Sequence, residues 1–109
     1  MRTHAIMKES DAIDRLGALA QKTRLAAFRL VVRSEPQGIQ SGEIARQLKT
    51  NATTMSRHLA QLERCCLLKC RRVEREAWYT VNWKGTEQLL NFLTEDCCKI
   101  GAKKSSGVK

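Results

Sequence analysis

The stretch SGEIARQLKTNATTMSRHLAQLER, residues 41–64, decides the fold. Ser41 is a good N-cap, and Glu43 falls in the first turn, where the helix dipole favours an acid. The short helix they start carries Ile44 and Leu48 inward. Lys49 to Asn51 makes a tight turn. Asn51 then caps a second helix over Ala52 to Arg64, whose inward stripe is Met55, Leu59 and Leu62 at i, i+4, i+7.

Downstream, Leu67 to Arg72 and Ala77 to Asn82 read as two strands joined by the polar turn Val73 to Glu76. A last helix runs from about Asn82 or Thr86 to near Cys98. Its apolar residues Leu89, Leu90, Phe92 and Leu93 form a stripe wider than one neighbour needs, which points to contacts with both its own core and a second subunit. Upstream, residues 11–33 read as helix with a break near Gln21 to Thr23. One apolar stripe there is Ile13, Leu16 and Ala20, and another is Leu25, Phe28 and Val32. Pro36 and Gly38 mark Ser34 to Gln40 as a loop. No internal repeat is present.

The resulting order is three helices, a tight turn, a fourth helix, a hairpin and a last helix. A short helix, a tight turn and a polar-faced helix make a helix-turn-helix, and the hairpin after it is a wing. The expected fold is mainly α with a β-hairpin wing, a winged helix-turn-helix, in a dimer. The expected organisation is a flexible arm over residues 1–10, a DNA-binding and dimerisation domain over 11–98, and a disordered basic tail over 99–109.

The bulk numbers agree with one domain. The chain has 109 residues and a net charge of +9. That charge favours a polyanionic partner, nucleic acid before membrane. No stretch has the roughly 18 apolar residues needed to span a bilayer. Residues 1–11 lack the apolar run of a signal peptide, so the expected location is cytoplasmic. Cytosolic thiols stay reduced, so the five cysteines are ligands, sensors or filler rather than structural disulfides. No paired carboxylates, nucleophile–histidine arrangement or Gly-rich phosphate loop stands out, so no enzyme is expected.

The second helix of a helix-turn-helix enters the major groove with its N-terminal end leading. Its candidate contacts here are Thr53, Thr54, Ser56 and Arg57, with Ser41 from the preceding helix. Hydroxyls serve bases or phosphates, a Thr methyl can touch a thymine methyl, and an Arg pairs with guanine or phosphate. His58 is a candidate phosphate contact, with a packing or capping role as the alternative. Arg71, Arg72 and Arg75 line the wing. Residues 41–76 carry eight basic residues and four acids, so affinity for DNA should fall steeply with salt. Trp78, Tyr79 and Trp83 read as hairpin and interface packing.

Several segments resemble the ArsR/SmtB family of metal-sensing repressors. They are Leu19-Ala20-Gln21-Lys22-Thr23-Arg24-Leu25, Ser41-Gly42-Glu43-Ile44-Ala45, Ser56-Arg57-His58-Leu59-Ala60-Gln61-Leu62-Glu63, and Arg71-Arg72 followed by Tyr79. The resemblance covers about residues 10–98. It implies a homodimer held by the first and last helices, seated on a palindromic operator in its own promoter and released by an inducer. No cofactor is implied for DNA binding. One arsenic site of the family uses Cys-x-Cys on the first helix of the helix-turn-helix; residues 41–45 have no cysteine. A zinc site uses Asp and His on the last helix, which has no histidine here. A third group carries a Cys-Cys pair at the end of the last helix, and this chain has Thr94-Glu95-Asp96-Cys97-Cys98. The third tail cysteine of some members is missing from residues 99–109.

Cys97 and Cys98 are therefore the candidate ligands for a soft ion. Adjacent Cα atoms lie about 3.8 Å apart, short of the roughly 4.4 Å minimum for a disulfide, whereas thiolates select soft metals. The expected inducer is trivalent arsenic or antimony: As(III), methylarsenite or Sb(III). A third thiolate would come from Cys65, Cys66 or Cys70, from the partner chain or from a small thiol. Those three cysteines are also open to a separate soft-metal or redox site, or to a role as small apolar filler. Similar repressors have Ala-Gly at 65 and 66, the Gly ending the helix in the left-handed region, so Cys66 should be mildly strained. An alternative is a thiol redox or persulfide sensor of the same fold, since clustered thiols near basic residues gain reactivity. A third reading is a cytosolic metal-binding or scaffold protein whose basic charge is incidental.

Overall fold

The computed structural model describes residues 7–104, with side chains described to residue 95. Helix α1, Glu9–Leu19, ends where Gln21 caps α2, Lys22–Arg33, by accepting from the Arg24 amide. A two-residue strand β1, Ile39–Gln40, runs directly into α3, Ser41–Gln47. Lys49, at φ 52, turns the chain toward α4, Ala52–Arg64. The wing is β2, Leu68–Val73, and β3, Glu76–Val81, and the last helix is α5, Trp83–Lys104. The sheet is antiparallel with order β1-β3-β2. This is a winged helix-turn-helix, as the pattern of residues 41–82 led us to expect.

Its core is built on the stripe read from residues 41–64. Ile44, Met55, Leu59 and Leu62 are fully buried against Val31, Leu67 and Leu68. β1 was not legible as a strand. It exists because Ile39 and Gln40 pair with Tyr79 and Trp78. That pairing also corrects the first cap. Gln40, held extended, occupies the N-cap position without a side-chain bond, and Ser41 is the first helical residue. The wing strands lie about one residue from their expected bounds, leaving Glu74 and Arg75 as the turn. Glu74 sits at φ 60, where glycine is the usual occupant.

The first upstream stripe faces away from the core, and the second lies along its edge. In α1 the buried residues are Ala12, Arg15 and Ala18, while Ile13 is 61% exposed and Leu16 is exposed too. In α2, Ala27, Leu30 and Val31 are buried, Phe28 and Val32 pack at the core's edge, and Leu25 is exposed. On α5, Leu89 is buried and Phe92 packs on the core, whereas Leu90 and Leu93 stand exposed. Thus α1, α2 and α5 all present large apolar side chains to solvent. Asn82 starts α5 by accepting from Gly85 through its side chain and from Thr86 through its carbonyl.

The helix continues six residues beyond Cys98, to Lys104. Ala102, Lys103 and Lys104 are good helix formers, so basic composition alone did not mark the helix end. Of the expected arm, residues 1–6 lie outside the described part, and Met7 is buried. Residues 105–109 of the expected tail also lie outside it. No helix among the described residues is long and apolar enough to cross a membrane.

Candidate nucleic-acid interface

The reading end of α4 is set by one side chain. Asn51 Oδ1 accepts from the amides of Thr53 at 2.7 Å and Thr54 at 3.2 Å, satisfying two of the four donors that a helix start leaves open. Thr53, Thr54, Ser56 and Arg57 follow, all exposed, while Met55 between them is buried. The apolar stripe locks the helix to the core, and the opposite face of small hydroxylated residues is free to approach a groove.

His58 sits at the edge of this face, half-buried, with Nδ1 3.4 Å from the Arg24 guanidinium. Arg24 also donates to the Ala18 carbonyl at 2.6 Å, so it ties the α1–α2 corner to the middle of α4. Burial, then the charge of Arg24, hold the His58 imidazole below its ordinary range. A neutral His58 can accept from Arg24. This geometry supports the packing alternative for His58.

Between α4 and the wing lies a groove of about 510 Å³ lined by Ser41, Ser56, Glu63, Cys70, Arg72 and Arg75, among others. Ser41, Ser56, Arg72 and Arg75 of the expected contact set therefore meet in one place. Arg71 does not join them. Successive strand residues point to opposite faces, and Arg71 lies over the Trp78 ring, 5.9 Å from its centroid. Tyr79, buried on the floor of this groove, pairs across the ladder with Cys70. Burial and the Cys70 thiol push the Tyr79 phenol up to about 12. Sequence reasoning placed Tyr79 in packing and missed that it also floors this groove; its strand register against Cys70 was the usable signal.

The cysteines separate into two places. Cys70 lines the groove, whereas Cys65 and Cys66 line a second cleft with Asp11, Asp14, Arg15 and Arg64. There α4 ends in a Schellman turn: the Cys66 amide donates to Glu63 and the Leu67 amide to Leu62, at 3.0 Å each. Cys66 stands at φ 64, the left-handed position that the resemblance to repressors with glycine there implied. Its carbonyl lies so close to α5 that a Cβ on Gly85 would fall 1.8 Å from it. Arg15, buried, donates to the Gly85 carbonyl at 2.8 Å and to Gln88 at 3.1 Å. Beside them the Thr86 hydroxyl is buried without a hydrogen-bond partner. Arg15 was the second residue the sequence concealed, since a charge between Ile13 and Leu16 reads as solvated.

The thiols of this joint differ. Cys65 donates to the Asp14 carbonyl at 3.7 Å, and burial, then the Asp14 carboxylate, push its thiol up. Cys66 is exposed. Among the described residues, no group of three or more His, Cys, Asp or Glu side chains is placed to hold a metal ion. Cys97 and Cys98 belong to α5, and their side chains lie outside the described part.

Comparison with known proteins agrees with this geometry. Residues 19–71 match the model of a helix-turn-helix domain. None of the curated proteins matches the sequence. Among solved structures, HlyU from Vibrio cholerae N16961 is 26% identical, with a TM-score of 0.62 over 80% of this chain and 97% of that one. An ArsR-like transcriptional regulator from Rhodococcus sp. RHA1 is 20% identical, with a TM-score of 0.63 over 90% and 93%. The homodimeric winged helix-turn-helix DNA-binding domain of Mb0332 from Mycobacterium bovis, a possible ArsR-family regulator, is 21% identical. Its TM-score is 0.61 over 97% of this chain and 99% of that one.

Proposed function

We propose that this chain is a homodimeric winged helix-turn-helix repressor of the ArsR/SmtB type, controlling an arsenic-resistance operon. It binds a palindromic operator through Thr53, Thr54, Ser56 and Arg57 of α4, with Ser41, Arg72 and Arg75 flanking them across the groove. Trivalent arsenic or antimony, inorganic or methylated, releases it by binding Cys97 and Cys98.

The observation that carries the DNA-binding part is the Asn51-capped end of α4. It is exposed, polar and basic, and it stands beside an arginine-bearing wing. The exposed apolar residues Ile13 and Leu16 of α1 and Leu90 and Leu93 of α5 support a dimer through the first and last helices, since exposed apolar patches on a small domain mark interfaces. The adjacent thiols of Cys97 and Cys98, one turn beyond Leu93 on that same helix, support the inducer assignment. An ion bound there acts on the element that sets the spacing of the two reading helices. To do so it must bind the DNA-incompetent state more tightly than the DNA-bound one.

A gel shift on promoter DNA titrated with arsenite and methylarsenite tests this reading. The wild type should bind and be released, and the Cys97→Ser/Cys98→Ser variant should bind and stay bound. Normal release of that variant would overturn the site. Release by peroxide or polysulfide but not by arsenicals would transfer the protein to the redox class.

A further inference from the structure

The joint between α4 and α5 holds two thiols that the function above does not use. Cys65 and Cys66 are adjacent in sequence, and both line one cleft of about 240 Å³ between the end of α4 and the Asp11–Arg15 face of α1. Cys66 is exposed there and Cys65 is half-buried with its thiol on the Asp14 carbonyl. Cys70, the third cysteine of the run, lines the groove beside Tyr79 instead. Both cysteines sit on the Schellman turn, whose left-handed Cys66 occupies a position where a Cβ carries a steric cost. A cysteine at that position places a thiol where glycine would leave none.

We propose that Cys65 and Cys66 form a vicinal dithiol site for monosubstituted trivalent arsenicals, distinct from Cys97–Cys98. Two thiols match the two replaceable hydroxyls of such a compound. The two S–H groups give up their protons, two sulfur–arsenic bonds form, two arsenic–oxygen bonds break, and two waters leave. Arsenic stays trivalent, so no oxidant or reductant is needed. The product ring is one atom larger than that of a disulfide between neighbours, whose Cα spacing of about 3.8 Å is too short for an unstrained S–S bond. The cleft leaves room for the organic substituent beside Asp11 and Arg64. Cys66, the exposed thiol, is positioned to react first, and Cys65 closes the ring. The adduct then lies against the Cys66–Gly85 contact, where α4 and α5 touch without a side chain between them.

The test uses the full chain carrying Cys97→Ser and Cys98→Ser, with phenylarsonous acid as the probe. Intact-mass spectrometry should show one phenylarsenic per chain, added with loss of two waters. Titration with a thiol reagent should show two of the three remaining thiols gone. Adding Cys65→Ala and Cys66→Gly should abolish the adduct, while adding Cys70→Ser should leave it. The glycine suits the left-handed position, and far-ultraviolet circular dichroism confirms that this variant is folded. No adduct in the Cys97→Ser/Cys98→Ser chain would overturn the proposal. So would an adduct that survives Cys65→Ala/Cys66→Gly, or one that Cys70→Ser removes. Since the readout is stoichiometry at Cys65 and Cys66, its failure is separate from failure of release through Cys97 and Cys98.

Discussion

The two ends of α4 are built on opposite principles. At the N-terminal end the residue types suit their positions: Asn51 caps, and Thr53, Thr54, Ser56 and Arg57 extend a polar face into solvent. At the C-terminal end one residue type does not. Cys66 takes a left-handed position that glycine fills at less cost, and the glycine appears instead on the opposing helix, at Gly85. The closeness of α4 and α5 is thus obtained from the bare Cα of Gly85, leaving the turn itself free to carry a thiol. One end of the helix is a surface for a partner, and the other is a packed joint with chemistry on it.

The joint at the C-terminal end is most sensitive at Gly85. A Cβ there would fall 1.8 Å from the Cys66 carbonyl oxygen and 2.8 Å from its Cβ. Gly85→Ala should lower stability by about 3 kcal/mol, because backbone rather than a flexible side chain must move. Urea unfolding at fixed chain concentration measures this, and a loss under about 1 kcal/mol would show that the joint yields.

At the other end the effect should be smaller. Asn51→Ala removes the acceptor of two amides and should cost about 1 kcal/mol. The same variant should weaken operator binding, since it frays the end of the helix that reads DNA. Wild-type stability with intact binding would mean that the cap does not hold that end.

Cys66→Gly sharpens the contrast with the opposite sign. It removes a Cβ from the left-handed region and should raise stability by roughly 0.5–1 kcal/mol. A loss on this substitution would mean that the thiol makes a contact worth more than the strain.

The smallest effect lies midway along the helix, at His58. Its depressed imidazole favours the neutral form in the folded chain, so the unfolded chain binds the extra proton first as pH falls. The stability this contributes is present above the ordinary value of about 6.5 and is lost as pH drops below it. His58→Gln should flatten the fall in melting temperature between pH 7 and pH 5. An unchanged slope would assign that fall to other groups.

The same contrast runs through what the sequence made legible. The span of α4, its Asn51 cap and its buried stripe follow from residues close to one another in sequence, and the strain at Cys66 follows from the resemblance to repressors that carry glycine there. Gln40 as a strand residue and Arg15 as a buried strap follow from neither. Gln40 is extended because it pairs with Trp78, and Arg15 is buried because Gly85 and Gln88 accept its guanidinium. Neither partner is local, and no period marks them. The stripe of Ile13 and Leu16 was visible but its direction was not, because an apolar face looks the same whether it meets a core or a second chain. The cysteine run divides in space: the Schellman turn and the strand after it send Cys65 and Cys66 to one cleft and Cys70 to another.

The N-terminal end of α4 is the surface on which DNA reading depends. Fluorescence anisotropy tests this directly, with the full chain titrated against labelled DNA from its own promoter and against scrambled DNA, from 50 to 200 mM salt. A clear preference for promoter DNA, lost in Arg57→Ala, is expected. Contacts to six or more phosphates should make affinity fall roughly a thousandfold or more across the salt range. Equal affinity for both DNAs, or binding indifferent to salt and to Arg57, would contradict this role of α4.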